Sequence, residues 1–187
     1  MNSTALQIDP KRIPRDLTEL PYWNIWRYEQ RNGKATKVPL SIRSGHPANV
    51  REPANLGRID EALDALATHQ ASGIGFSFLQ DSGLVGIDFD DCIGPSGGLH
   101  EEVAKLVDAL GYVEVSPSGR GVKAFVRASV DLSGRNRIAD FPAPGIQTEI
   151  YNWGRFFTVT GQRIDALSTQ GLSDQTDRVA ALHTELL

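Results

Sequence analysis

The sequence predicts an α+β fold with mainly antiparallel sheets and helices inserted between the strands. Three observations lead there. Short runs rich in Val, Ile, Phe, Tyr and Trp recur along most of the chain, each bounded by turn-forming residues, as strands require. Several of the gaps are only a few residues long, which suits antiparallel neighbours and excludes adjacent parallel ones. Two stretches switch to helical spacing: Leu56, Ile59, Leu63, Leu66 and Ala67, then Val103, Leu106, Val107 and Leu110.

In chain order, residues 1–20 alternate prolines and charges without a period and form an N-terminal arm, with one short helix over 14–20. Residues 22–29 are aromatic-rich, turn at Asn32-Gly33 and return through 35–41, making a hairpin. Asn55 caps the first helix, which runs to about His69. Segments 73–79 and 84–90 are extended and joined by the hairpin turn Gln80-Asp81-Ser82-Gly83. The second helix stops at Gly111. Segments 113–116 and 122–129 are again extended, 132–144 is polar and irregular, and two further strands, 146–151 and 155–160, flank Asn152-Trp153-Gly154. A polar helix occupies 174–187. The expected organisation is an arm (1–20), one core domain (21–165) and a C-terminal helix or linker (166–187) leading toward a further domain.

At 187 residues with 40% apolar content, the chain can bury a sizeable core. No apolar run approaches the roughly 20 residues that span a bilayer, and the start lacks a signal-peptide pattern, so the expectation is a cytoplasmic protein with no membrane partner. Cys92 is the only cysteine, which excludes an internal disulfide and a thiolate-rich zinc knuckle within the chain. Twenty-three acidic residues against 19 basic ones leave a net charge of −4, unlike a generic basic nucleic-acid binder.

The chemistry concentrates in three segments. Leu84-Val85-Gly86-Ile87-Asp88-Phe89-Asp90-Asp91 is a strand built for burial that ends in carboxylates. Asp88 and Asp90 share a face roughly 7 Å apart along the backbone, a spacing that invites hard divalent ions between them. An acidic strand end is the plain alternative. In Ser116-Pro117-Ser118-Gly119-Arg120-Gly121-Val122-Lys123, glycines and serines free backbone amides for an anion nest, and Arg120 and Lys123 add positive charge. Lys123, set in an apolar run, needs a ligand, a counter-charge or a route to water; an ordinary flexible hairpin tip would explain the rest. In Gln147-Thr148-Glu149-Ile150-Tyr151, alternation puts Glu149 and Tyr151 on one face, and Arg155 returns across the following turn. Edge strands tolerate that pattern, but Glu149 can also complete a metal site. Together the segments contain what phosphoryl transfer from a nucleoside triphosphate requires.

These three motifs, in this order, resemble those of the archaeo-eukaryotic primase superfamily, specifically its phage and plasmid primase-polymerase domains. Trp23-Asn24-Ile25-Trp26 and Lys34 to Pro39 resemble the opening hairpin of such domains, so the likeness runs over 21–161. The resemblance implies a catalytic core with an RRM-like sheet. It further implies Mg²⁺ or Mn²⁺ on Asp88, Asp90 and Glu149, and contacts from Ser116, Ser118, Gly119, Arg120, Lys123, Tyr151 and Arg155 to the nucleotide. The implied partners are a single-stranded DNA template and primer, nucleoside triphosphates in the ribo or deoxy form, and a helicase domain or protein. The family's second motif more often ends in histidine where this chain has Lys123; a lysine suits phosphate but cannot serve as a neutral acceptor. Three functions are therefore weighed: a template-directed nucleotidyltransferase, a nucleotide- or single-stranded-DNA-binding module without chemistry, and a metal-dependent nuclease. The acidic excess also reads differently here, since Asp88, Asp90, Asp91 and Glu149 supply four of the negative charges.

Overall fold

The computed structural model describes residues 7–187 except Asp81. The first six residues of the expected arm, and Asp81 of the expected 80–83 turn, lie outside the described residues.

The fold is α+β. After a single-turn helix α1 (Arg15–Thr18), strands β1 (Trp23–Arg31) and β2 (Lys34–Leu40) form the expected hairpin. Asn32 and Gly33 both take positive φ, 51° and 75°, the pair of left-handed conformations that a two-residue hairpin turn needs. Helix α2 (Ile59–Thr68) and strands β3 (Gly73–Ser77) and β4 (Leu84–Asp90) follow, then helix α3 (Glu101–Val107), strands β5 (Tyr112–Val115), β6 (Val122–Arg127), β7 (Arg137–Ala139), β8 (Gln147–Tyr151) and β9 (Phe156–Val159), and helix α4 (Thr176–Leu186). Two antiparallel sheets result, ordered β2-β1-β3-β9 and β5-β6-β4-β8-β7.

The 80–83 segment does not close a hairpin. β3 already has β1 and β9 as neighbours, and β4 has β6 and β8, so the chain crosses from the first sheet to the second there and returns at 152–155. The crossings are tied together at Phe78, whose N–H donates to the Arg155 carbonyl (2.9 Å) and whose carbonyl accepts from the Gly154 N–H (3.0 Å).

The second sheet is covered on both faces. On one face Leu84, Tyr112 and Phe125 join the first sheet's Trp23, Ile25, Ile74, Phe76 and Val159 and α2's Ala62 and Ala65 in one core. On the other face Val85, Ile87, Phe89, Val113 and Ile150 pack with Val103 and Val107 of α3 and Val179, Leu182 and Leu186 of α4. Gly86 leaves room for two rings, since a Cβ there would sit 2.3 Å from the Phe78 ring and 2.5 Å from the Phe157 ring.

Local boundaries differ from expectation for identifiable reasons. α2 starts at Ile59 because Pro53–Asn55 forms a 3₁₀ turn that takes Asn55 out of the capping position. Glu61 instead accepts the Arg58 N–H at 2.8 Å. α3 ends at Val107, and Ala109 then turns with φ 49°. β7 lies in the stretch expected to be irregular, as an edge strand of largely exposed residues. Cys92 is buried, and burial pushes its thiol up to about 11, which leaves it inert. Among the described residues no helix is long and apolar enough to cross a membrane.

Candidate active site

Antiparallel pairing places directly opposed residues on the same face of a sheet. In the second sheet Glu114 opposes Lys123, Lys123 opposes Asp88, Asp88 opposes Glu149, and Glu149 opposes Arg137. One residue from each of the five strands therefore forms a charged row running acid, base, acid, acid, base. The middle of the row opens into a cavity of about 500 Å³ between the sheets. Asp88, Lys123, Glu149, Arg137 and Tyr151 line it from the second sheet, Lys37, Pro39 and Thr158 from the first, and Gly154 and Arg155 from the crossing between them.

Lys123 is 6% exposed at its side chain, and its ammonium is bound to Asp88 Oδ2 and lies 4.8 Å from the centre of the Phe157 ring. The buried lysine thus has both the counter-charge and the cavity that its setting demanded. Asp88 Oδ1 is buried and has no hydrogen-bond partner. Glu149 Oε1 accepts from Arg137 Nε and from Gln147 Nε2, each at 3.1 Å. Asp90 stands two residues beyond Asp88 on the same face; burial and then the Asp88 charge hold its pKa above the usual carboxylate value. Lys37 carries a lowered pKa, from burial and then from the Lys123 charge. Neither Lys37 nor Arg155 has a carboxylate partner among the described residues. The Arg155 guanidinium lies 5.1 Å from the Tyr151 ring centre.

Of the residues singled out from sequence, the structure brings Asp88, Lys123, Glu149, Tyr151 and Arg155 around one cavity; Asp90 does not line it, although it stands near enough to feel the Asp88, Lys123 and Glu149 charges. The corner at 116–121 turns elsewhere. The Ser116 hydroxyl contacts the Ser118 hydroxyl at 3.0 Å and accepts the Gly121 N–H at 3.2 Å, so it braces the hairpin. Arg120 pairs with Asp91 at 2.6 Å, and Gly119 and Arg120 line a separate hollow with Asp91 and Ile93. Sequence reasoning leaves Arg137 without a role, and reads Lys37, with Arg12, Arg15 and Lys34, as scattered surface charge or a contact to template phosphate and not as a cavity residue. Strand alternation in β2 puts Lys37 on the face of Pro39 and Trp26, a signal that could have separated it from Lys34. Glu114 was missed as well. It is fully buried, accepts from the Tyr112 hydroxyl (2.7 Å) and from the Thr160 and Gly161 N–H groups, and has its pKa pushed up to about 7 by burial.

The donors fit a hard divalent cation in kind: they are carboxylate oxygens, and Asp88 Oδ1 is an open buried ligand position. As the side chains stand, no three Asp, Glu, His or Cys residues converge on a metal position among the described residues.

No family model matches the sequence. The chain is similar to a DNA primase-polymerase of Nitratiruptor phage NrS-1, at 30% identity over 153 residues that make up 80% of this chain and 20% of that protein. It is thus related to a phage primase-polymerase and spans about a fifth of that relative's length.

Proposed function

We propose, from that relationship and the cavity, that the chain is the nucleotide-joining region of a primase-polymerase of the archaeo-eukaryotic type. The observation that carries this is the cavity's charge arrangement. One wall presents an unpartnered buried carboxylate oxygen of Asp88, and the others present the unpaired cations Lys37 and Arg155. A ligand that complements both must carry a cation and a polyanion together, as a divalent metal on a nucleoside triphosphate does.

In this reading Asp88, Asp90 and Glu149 would hold Mg²⁺ or Mn²⁺. When bound, such an ion supplies Lewis-acid stabilisation of the transferring phosphoryl group and makes a 3′ hydroxyl a better nucleophile. Lys37, Lys123 and Arg155 bind and orient the triphosphate, with Arg155 as a planar donor and the lysines as point charges. Tyr151 presents a ring and a hydroxyl to the sugar or base. Single-stranded DNA template and primer are the proposed macromolecular substrates, and a helicase domain or protein is a further proposed partner.

The test is nucleotide incorporation on a primed single-stranded template with Mg²⁺ or Mn²⁺, using separate ribo- and deoxynucleotide pools. Product that depends on the metal and disappears in Asp88→Asn is expected. A variant that extends primers as well as the parent would overturn the site assignment.

A second reading is favoured by one observation. Lys123 already holds Asp88 Oδ2, and no three ligands converge among the described residues, as in a module that binds nucleotide without chemistry. Calorimetric titration with a nucleoside triphosphate and Mg²⁺ separates the two, because tight binding with no product in the incorporation assay is the outcome of this version alone.

A further inference from the structure

Only three large hydrophobic side chains are exposed among the described residues: Tyr28 at 45%, Trp153 at 44% and Leu187 at 69%. Leu187 is the last residue of the sequence. Each of the other two adjoins residues that line the cavity. Tyr28 is the cross-strand partner of the cavity-lining Lys37, on the first sheet. Trp153 lies in the crossing that continues into the cavity-lining Gly154 and Arg155. Isolated surface aromatics are common and need no account, but these two share a second feature.

Each is held in place and each is attended by a cation. The Trp26 ring meets Tyr28 edge-on at 5.0 Å, and the Lys37 ammonium lies 5.8 Å from the Trp26 ring centre. The Arg51 guanidinium lies 4.1 Å from the centre of the Trp153 ring, and Gly154 leaves room for it, since a Cβ there would come within 2.8 Å of Arg51 Nε. Neither Lys37 nor Arg51 has a carboxylate partner among the described residues, whereas Arg27, Arg31, Arg43, Arg120 and Arg127 all do. Exposed rings beside cations that lack a carboxylate partner among the described residues, adjoining the cavity that holds Asp88, match a polymer with alternating flat faces and negative charges.

We infer that single-stranded nucleic acid passes the cavity with bases stacked on Tyr28 and on Trp153 and a backbone phosphate meeting Arg51, which leaves Lys37 to the triphosphate. Aromatic rings that take any base, together with cations that follow the backbone, give binding without sequence preference. The inference rests on the nucleotidyltransferase reading for its purpose, because the two rings would hold a strand beside the cavity that contains Asp88.

The experiment is fluorescence anisotropy with a labelled oligo-dT at low salt, on the full chain. Tyr28→Ala and Trp153→Ala are each expected to weaken binding about fivefold or more, and Tyr28→Phe to restore it. Trp23 and Trp26 are at most 1% exposed, so oligomer-induced quenching of tryptophan emission is expected to come from Trp153 and to vanish in Trp153→Ala. An abasic oligomer of equal length keeps the charge and loses the stacking faces, and is expected to bind more weakly than oligo-dT. Undetectable binding by the parent, equal binding of the abasic strand, or parental affinity in both alanine variants would each overturn the inference. The two failures are distinct. A chain that binds oligo-dT through these rings and never joins nucleotides refutes the enzymatic reading alone. A chain that joins nucleotides and ignores both substitutions refutes the strand path alone.

Discussion

Two rows of residues cross the second sheet one position apart and face opposite ways. One is Glu114, Lys123, Asp88, Glu149 and Arg137; the other is Val113, Ala124, Ile87 and Ile150. All four members of the apolar row are completely buried, in the core that contains α3 and α4. The backbone and the pairing are shared, and only the parity of the position differs. Like charges directly opposed across strands are destabilising, yet Asp88 faces Glu149. The sheet tolerates this because the apolar row fixes the strands from behind, and because Lys123 and Arg137 bracket the two acids. One face supplies the stability that lets the other hold an arrangement that would not hold itself together.

That division can be broken from either side, and the largest effect is expected on activity. Asp88→Asn keeps the shape and removes the charge, so primer extension per folded molecule is expected to fall about 10³-fold; because it takes the counter-charge from the buried Lys123, the melting temperature falls as well. Ile87→Ala, one residue away, is expected to cost stability alone. Truncating a fully buried side chain costs about 2–5 kcal/mol, which lowers the melting temperature by roughly 5–15 °C in a domain of this size, while the rate per folded molecule stays near the parent's. Thermal unfolding and primer extension on the same preparations check both. If Ile87→Ala lowered the rate per folded molecule as Asp88→Asn does, the two faces would not be separable.

Glu114 sharpens the contrast, because it stands in the charged row but is buried as deeply as the apolar one. Its pKa is raised from 4.5 to about 7, with desolvation as the leading cause. The folded state therefore holds a proton that the unfolded state has released between those values. That contribution is fully present below pH 4.5 and is lost as pH rises through 7. A displacement of this size corresponds to about 3 kcal/mol. Urea unfolding from pH 4 to 8 is expected to show stability falling across that window in the parent. Asp90 is shifted the same way and adds to the slope, so the diagnostic quantity is the difference from Glu114→Gln, in which the Glu114 share disappears.

Much of this was legible in the chain and some of it was not, for physical reasons. The β1–β2 hairpin follows from Asn32-Gly33, since few other residue pairs take two positive φ values in succession. Asp88, Lys123 and Glu149 stood out because each is a charge placed inside an apolar strand, which burial makes costly unless it is answered. Which strands would pair was not legible. Gln80 to Gly83 has hairpin chemistry, but β4 buries residues on both faces, Leu84 on one and Val85, Ile87 and Phe89 on the other, and changing sheets covers both. Ser118, Gly119 and Arg120 have the composition of an anion nest, yet Arg120 is taken by Asp91, a partner set by the positive φ (58°) of Asp91 at the end of β4. Lys37 reads as surface charge in the sequence because its significance comes from the sheet opposite, and Arg51 gives no signal there because its contact is the distant Trp153 ring.

The smallest expected effect belongs to the open end of the charged row. The Arg137 side chain is 61% exposed, against 6% for Lys123, although both cations hold an acid of the same cavity. An ion pair this exposed contributes about 0.2–1 kcal/mol, because solvent screens it and the long side chain gives up conformational freedom to make it. Glu149 also keeps its hydrogen bond from Gln147 when the guanidinium is gone. Arg137→Ala is therefore expected to raise the KM for nucleotide by no more than about fivefold and to leave kcat unchanged. Lys123→Ala, by contrast, would leave Asp88 unpaired in a buried site. Steady-state kinetics of primer extension checks the Arg137 variant. A loss in kcat approaching that of Asp88→Asn would move the boundary of the catalytic machinery out to the edge strand, and the bracketing of Asp88 and Glu149 would then be symmetrical in function as it is in sequence of charge.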